Sequence, residues 1–268
     1  LTCSFVSTPY LMTQGFSLPI DQTTSNDIST TAVFLLSIYF LTRLNCDPRW
    51  INFAFFGMAT GVFIGTKYIS ILFCIPVLIG FLFILLRSHE SFRHKSLKLT
   101  LSSLSILVFG GFSYIRNIAS TGNPFFPAQV QIKGLTLFQG FYGKNRFSTS
   151  PFYTNFKLSD ALVHPGFNKA TLIILILGIS LYFITMLRKR TDYTIPTFRY
   201  FETFLLSLPA VTMAIFFFLI PYRNYRFLFI PIGCSYLVLG LLNRRSKKIS
   251  WILGLAMVPD IFRSCVLA

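Results

Sequence analysis

The sequence predicts an all-α polytopic membrane protein with about eight transmembrane segments and one long extracytoplasmic loop. Hydrophobic residues make up 53% of the 268 residues, and the mean hydropathy is +0.64. Charged residues make up only 12%, about half of their usual share in a soluble domain. The apolar residues form long runs separated by short clusters of Lys and Arg, which is the arrangement of membrane helices joined by loops.

The charge balance and the cysteines indicate which kinds of partner and activity are not expected. The chain has 24 Lys and Arg against 8 Asp and Glu, a net charge of +16. In a membrane protein this excess indicates positive cytoplasmic loops, and no nucleic-acid partner is expected. The 5 cysteines form no CxxC pair, and the sequence lacks Walker, GxSxG and HExxH motifs, which argues against a nucleotide-driven pump or a zinc protease.

The first part of the chain predicts two spans joined by a polar stretch. Residues 1–12 resemble the end of a span, and 28–42 form the next one. The basic residue Arg43 indicates the cytoplasmic side, so the Asp27 end lies outside. Because the chain begins at Leu1, inside an apolar run and without Met, we expect a fragment that lacks its N-terminus.

The apolar run 51–86 predicts two spans with a tight break at Lys67. As one helix it would be about 54 Å long, far more than the ~30 Å core of a bilayer. With two spans Lys67 lies outside, and the basic cluster after them returns to the side of Arg43. That cluster comprises Arg87, Arg93, His94, Lys95 and Lys98.

The remaining segments alternate in the same way. A span at 99–115 leads outward to Arg116, and residues 117–169 form an aromatic-rich, basic outer loop in which we expect short helices along the membrane surface. The later spans are predicted at 170–187, 201–220, 227–242 and from 249 onward. No linker or repeat divides the sequence, so 1–268 is interpreted as a single transmembrane domain.

Few outer residues are suited to acid–base chemistry. Asp27, beside Asn26, is the best placed, although the residues alone favour a helix N-cap at that position, a role that does not exclude catalysis. Asp21 and Asp160 are better explained as loop and capping residues. His164 is followed by Pro-Gly and is more typical of a turn than of a metal site.

Four outer cations are not explained by the positive-inside tendency: Lys67, Arg116, Arg223 and Arg226. Each alone is consistent with snorkelling to lipid headgroups. As a set at the outer ends of different helices, they favour a site for phosphate or pyrophosphate. Arg116 is followed by Asn117 and by the turn sequence Thr-Gly-Asn-Pro, so we include Asn117 in this candidate site.

Four motifs resemble the GT-C superfamily of membrane glycosyltransferases. The first is Tyr114-Ile-Arg116-Asn117 with Thr121-Gly-Asn-Pro-Phe-Phe-Pro127, similar to the pattern "RN…TGNPF(Y/F)P". The others are Gly61–Tyr68, similar to "GxxxGTKY", Asn26-Asp27 before an apolar helix, and Tyr225–Pro231, similar to "RYLLPxxP". Their order is that of the bacterial branch similar to protein mannosyltransferases and aminoarabinose transferases.

The resemblance implies a polyprenyl-phosphate sugar donor and a lipid, glycan or protein acceptor at the outer face of the bacterial cytoplasmic membrane. It implies that Arg116, Lys67 and Arg226 hold the donor phosphate, with Arg223 and Asn117 nearby. The principal catalytic acid of the superfamily would precede Leu1, so Asp27 and Asn26 would support it, and the fragment alone is expected to be inactive. No cofactor is certain, and a divalent metal ion is left open.

Two other functions remain open at this stage. A transporter or flippase for a lipid-linked saccharide would need polar residues along its spans, whereas these spans are almost entirely apolar. A non-catalytic membrane subunit would use the outer cations only to bind anionic lipid.

Overall fold

A computed structural model describes residues 24–132, 134–140, 176–177, 180, 184, 196–220 and 225–243. The helices of this part are α1 (Thr24–Cys46), α2 (Trp50–Thr66), α3 (Ser70–Arg87), α4 (Phe92–Thr121), α5 (Pro196–Ala214) and α6 (Phe229–Asn243). A short π-helix, Ile215–Leu219, continues α5, and a 3-10 turn, Tyr225–Leu228, precedes α6. The strands are β1 (Val130–Ile132) and β2 (Leu135–Phe138).

Three segments of the described residues are long and apolar enough to cross a membrane: Ser70–Arg87, Phe92–Thr121 and Phe201–Leu219. The apolar helices α2 and Phe229–Val238 are shorter. Helix α1, predicted as a span, is not among the three, and its hydroxyl residues lower its hydropathy. The hydroxyls of Thr31, Ser37 and Thr42 donate to the carbonyl four residues earlier, so they are satisfied within the helix.

The fold class needs one correction, because a β-hairpin interrupts the all-α pattern. Strands β1 and β2 pair antiparallel inside the loop where short helices were expected. The predicted spans at 1–12 and 249–258, and most of 170–187, lie outside the described residues. A mostly helical membrane protein is therefore established, whereas the number of eight spans and the length of the outer loop stay predictions.

The chain divides into two compact units, 33–155 with 217–223, and 1–32 with 156–216 and 224–268. In the first of these, which we call the α2–α4 unit, the part of α1 from residue 33 onward runs antiparallel to α2. Phe34 contacts Phe63 with ring centroids 4.9 Å apart, and Phe40 stacks on Phe55 at 5.4 Å. Position 34 of α1 therefore lies beside the C-terminal part of α2, and position 40 lies beside its N-terminal part.

Helices α2 and α4 run parallel and approach each other at their glycines. A Cβ on Gly57 would lie 2.4 Å from the Ser102 carbonyl oxygen, and a Cβ on Gly110 would lie 2.5 Å from that of Gly61. Contacts this close require residues without a side chain, as in the small-xxx-small packing of membrane helices. The Gly-xxx-Gly spacing of α2 is thus a helix-packing feature.

Helix α3 returns antiparallel to α2, as the sequence predicted. The ring of Phe81 stacks on Phe56 at 4.7 Å and meets Phe53 edge-on at 6.0 Å. The break between α2 and α3 is short and includes Lys67, whose backbone is extended (φ −153°, ψ 143°). The predicted division of the apolar run 51–86 into two helices at Lys67 is confirmed.

The opposite end of this unit is held by a buried lysine. Lys98 is 4% exposed; its ammonium pairs with Glu90, donates to the Pro48 carbonyl at 3.0 Å and lies 4.9 Å from the Phe53 ring centroid. A charge at this depth is tolerated because it is paired and hydrogen-bonded. Lys98 therefore fastens α4 to the two neighbouring loops and is not one of the surface cations expected from the sequence.

The other unit contains α5 and α6, which pack on each other. Its core includes Leu205, Leu208 and Val238, which are nearly inaccessible to solvent. The buried hydroxyl of Thr212 donates to the Leu208 carbonyl at 2.7 Å, and that of Ser235 to the Pro231 carbonyl at 3.0 Å. Polar side chains on these two helices are thus accommodated by backbone carbonyls.

Candidate functional site

The parallel packing of α2 and α4 brings Lys67 and Arg116 to the same end of the α2–α4 unit. The Tyr114 hydroxyl donates to the Ile64 carbonyl at 2.8 Å, and the Ser113 hydroxyl to the Gly65 carbonyl at 3.0 Å. Both cations follow these contacts by two or three residues. We call this end, with Lys67, Arg116 and the turn 121–128, the Arg116 end.

Lys67 lies in the connection that caps α3. Its carbonyl accepts from the Ser70 amide at 3.0 Å, and that of Tyr68 accepts from the Ile71 amide at 3.4 Å. The Thr66 hydroxyl donates to the Phe63 carbonyl at 2.6 Å and lies 3.3 Å from the Ser70 hydroxyl. The backbone of the half-buried Lys67 is therefore held by hydrogen bonds on both sides.

Arg116 lies on the exposed surface of α4, inside the helix. The sequence had predicted a helix end at this arginine, but α4 continues to Thr121 and ends at Gly122, a left-handed C-cap with φ 70°. The Ser120 hydroxyl donates to the Arg116 carbonyl at 2.8 Å, and the Thr121 hydroxyl to the Asn117 carbonyl at 2.8 Å. These side chains satisfy carbonyls of the last turn, which extends the helix beyond the apolar run.

Two asparagines hold the turn that follows α4. The Asn117 amide donates to the carbonyls of Pro124 and Phe126 at 3.3 and 3.1 Å. Asn123, 1% exposed, donates to the carbonyls of Ala128 and Gln139 at 2.7 and 2.8 Å, and its side-chain oxygen accepts from the Phe125 amide at 2.8 Å. One side chain thus joins the turn to both ends of the hairpin.

Aromatic rings also join α4, the turn and the hairpin. The Phe125 ring meets Tyr114 of α4 edge-on at 6.2 Å and Phe138 of β2 at 6.0 Å. The Phe126–Pro127 peptide bond is cis. Through the contacts of the Phe125 ring, the helix, the turn and the hairpin form a continuous packed structure at the Arg116 end.

Asn123 and Tyr114 were not singled out as functional candidates in the sequence. The αL-favouring Gly122 before Asn123 is the local pattern that indicates a structured turn at this point. The partners of Asn123 lie up to sixteen residues away, and sequence spacing gives no information about such contacts.

Asp27 lies in the first turn of α1 and is 4% exposed. The helix begins three residues earlier, at Thr24, so Asp27 is not the N-cap. A carboxylate in the first turn is still favoured by the helix dipole. Its backbone carbonyl accepts from the Thr31 hydroxyl at 2.9 Å.

The other candidates are not described at side-chain level. Asn26 and Arg226 lie in helical backbone whose side chains are outside the described set, and Arg223 lies outside the described residues, as do Asp21, Asp160 and His164. Among the residues that the structure describes, no group of three or more His, Cys, Asp or Glu side chains could hold a metal ion.

The Arg116 end is chemically suited to binding an anion. It has two basic side chains, Arg116 exposed near the end of α4 and Lys67 in a connection whose backbone is hydrogen-bonded. Arginine forms paired hydrogen bonds with phosphate oxygens, and lysine acts as a point charge.

Comparison with known families identifies one match. Residues 4–114 match the model of the dolichyl-phosphate-mannose-protein mannosyltransferase family. The matched segment includes Asp27 and Lys67 and ends just before Arg116. No curated protein and no solved structure matches the chain. Over residues 4–114, the family match supports the resemblance to membrane glycosyltransferases found in the sequence.

Proposed function

We propose that this protein transfers a sugar from a polyprenyl-phosphate-linked donor to an acceptor at the extracytoplasmic face of the bacterial cytoplasmic membrane. The observation that carries the proposal is the parallel packing of α2 and α4, because it supports a shared role for Lys67 and Arg116 at one membrane face. The family match supports the class of reaction.

In the proposed reaction, the bond between the anomeric carbon and the donor phosphate breaks, and the phosphate leaves with the electron pair. An acceptor oxygen or nitrogen bonds to the anomeric carbon and gives up a proton. The departing polyprenyl phosphate gains negative charge, which cations already in position stabilise. We assign that role to Arg116 and Lys67, joined by Arg226 and Arg223.

Asn117 has a different role in this proposal. Its side-chain NH2 group donates to two carbonyls of the turn, so we assign it to holding the backbone beside Arg116. Asp27, with Asn26, orients the acceptor or assists its deprotonation, since a carboxylate is the natural proton acceptor in such a step. The acceptor is a lipid, a glycan or a protein.

Substitution of Arg116 tests the proposal in the complete native protein. We expect Arg116→Ala to lower transfer from radiolabelled polyprenyl-phosphate mannose by about a hundredfold or more, the usual effect of removing a group that stabilises developing charge. Arg93→Ala is the matched control, because Arg93 is an exposed arginine near the opposite end of the same helix. The control should retain wild-type transfer.

Equal activity of Arg116→Ala and the wild type would refute the donor-site assignment. Movement of an intact lipid-linked saccharide across the vesicle membrane, without transfer, would instead indicate a transporter. Unchanged glycan profiles in cells that carry both Lys67→Ala and Arg116→Ala would indicate a non-catalytic membrane subunit.

A further inference from the structure

The β-hairpin after α4 has one face made of aliphatic side chains. Along β2, Leu135 and Leu137 are 67% and 47% exposed, whereas Thr136 and Phe138 are half-buried. Residues 135 and 137 are two positions apart in the strand, so both leucines lie on the same face. Two exposed leucines on one face of a strand form a small contiguous apolar patch, the kind of surface that a membrane or another apolar surface covers.

The opposite face of the hairpin carries an aromatic ring that packs on the turn and polar side chains that remain partly exposed. The Phe138 ring packs edge-on against Phe125 at 6.0 Å. On the same face the Gln131 and Gln129 side chains donate to the Thr136 hydroxyl at 3.0 and 3.4 Å. The hairpin is therefore amphipathic, with its polar and aromatic face toward the turn and its leucine face exposed.

The hairpin is held close to the end of a membrane helix. Asn123 binds the carbonyls of Ala128 and Gln139 at the two ends of the hairpin, and Asn117 of α4 binds the turn. From Lys98 to Arg116, α4 rises about 27 Å, close to the ~30 Å thickness of a bilayer core. The hairpin is thus attached where the helix reaches the lipid headgroups.

The size and setting of the leucine face favour lipid over protein. Two leucine side chains cover far less than the ~800 Å² per partner of a stable protein interface. At the same end of α4, Phe112, Ile115 and Ile118 are 71%, 67% and 52% exposed, as expected of a helix surface in contact with acyl chains. Short amphipathic elements with a few apolar side chains commonly lie in this interface layer.

We propose that the hairpin is a membrane-surface anchor, with Leu135 and Leu137 inserted among the lipids of the leaflet at the Arg116 end. This anchor keeps the turn 121–128 at the membrane surface. It does not depend on the proposed transferase activity.

Fluorescent probes on the two hairpin faces test the anchor. Leu137→Cys and the matched control Gln131→Cys, each labelled with nitrobenzoxadiazole, are compared in the full chain reconstituted in phosphatidylethanolamine–phosphatidylglycerol vesicles. Cys3, Cys46 and Cys265 are replaced by serine in both, while the buried Cys74 and Cys234 are kept. We expect the probe at 137 to show blue-shifted emission, to be quenched by nitroxide-labelled lipid and to be protected from iodide. The probe at 131 should be quenched by iodide.

Equal iodide quenching at both positions would overturn the proposal, because the leucine face would then be in water. Protection of the 137 probe from both iodide and nitroxide lipid would also overturn it, because the face would then be covered by protein. Leu135→Cys repeats the measurement on the same face, which keeps the test decisive if the Leu137 variant does not fold.

Discussion

At the scale of single residues, Asn123 organises the Arg116 end. It is nearly inaccessible to solvent, and its amide group donates to two carbonyls and accepts from one backbone amide. Asparagine suits this position because one short side chain supplies two donors and an acceptor. The loss of such a group leaves two part-buried carbonyls without this partner, and an unsatisfied group costs up to about 1–3 kcal/mol when it is fully buried.

We therefore expect Asn123→Ala to loosen the hairpin while the helices stay folded. Hydrogen exchange measured by mass spectrometry should become faster in peptides that cover 124–140 and stay unchanged in α2 and α3. Gln131→Ala is the control, because the exposed Gln131 amide bonds only to a neighbouring hydroxyl of the hairpin among the described residues. Unchanged exchange in Asn123→Ala would contradict the role assigned to this residue.

Lys98 is the second residue whose role is set by its partners. Its ammonium group is enclosed by Glu90, the Pro48 carbonyl and two aromatic rings. Nearby, Arg49 donates to Asp47 at 2.6 Å and holds the pKa of that carboxyl below its usual value. The loops at this end are thus connected through charged groups, whereas the Arg116 end is connected through amides and rings.

At the scale of elements, the glycines of α2 and α4 determine how closely the two helices approach. Gly57, Gly61 and Gly65 recur every four residues and therefore lie on one side of α2. A Cβ on Gly65 would lie 3.2 Å from Gly110, and one on Gly61 would lie 2.7 Å from the Ile106 carbonyl oxygen. This close approach lets the Tyr114 hydroxyl reach the backbone of α2.

Two adjacent glycines provide a matched test of this packing. We expect Gly110→Ala to destabilise the protein by about 1–3 kcal/mol, as overpacking typically does, because the new methyl group would meet the Gly61 backbone. Gly111→Ala should change stability by less than about 1 kcal/mol, since the nearest atom to its Cβ is the Ile115 methyl group, 3.8 Å away. The thermal stability of both variants in detergent is measured by size-exclusion chromatography of samples heated to increasing temperatures.

Similar melting temperatures for the two variants would show that the α2–α4 contact tolerates a side chain and that the close approach is not required. A large loss for Gly111→Ala alone would show that the other side of α4 is the tightly packed one.

On the largest scale, the basic residues of the α2–α4 unit fall into two groups, one at each end of its helices. Arg43 and Arg87 lie in the last turns of α1 and α3, whereas Lys67, after α2, and Arg116, on α4, lie at the other end of the unit. The antiparallel and parallel contacts within the unit support this alternation. The positive-inside tendency predicts that the end with Arg43 faces the cytoplasm.

Labelling of Cys46 tests this orientation. Cys46 is exposed at the end of α1, so we expect a membrane-impermeant maleimide to reach it only in permeabilised cells. The control carries Cys46→Ser together with Ala119→Cys. Position 119 is exposed near the C-terminal end of α4, so this control should be labelled in intact cells. Both versions carry Cys3→Ser and Cys265→Ser. Labelling of Cys46 in intact cells would reverse the assigned topology.

Much of the helical framework could be predicted from the sequence. Apolar run lengths and basic clusters predict the helices around 51–86, their division at Lys67, and the later helices within 201–220 and 227–242. The reason is physical, since a bilayer imposes length and hydropathy on each span independently of its neighbours. The hairpin at 130–138 was not predicted, because two short strands depend on contacts with Asn123 and Phe125.

Composition, hydrophobic period and motifs predict a membrane protein, the alternation of its helices and the resemblance to membrane glycosyltransferases, which the family model supports over residues 4–114. The structure was needed to show that Lys98 is buried, that Tyr114 reaches the backbone of α2, and that Asn123 joins the turn to the hairpin. These features depend on hydrogen bonds and close contacts between residues up to about fifty positions apart, and such contacts are a property of packing rather than of local sequence.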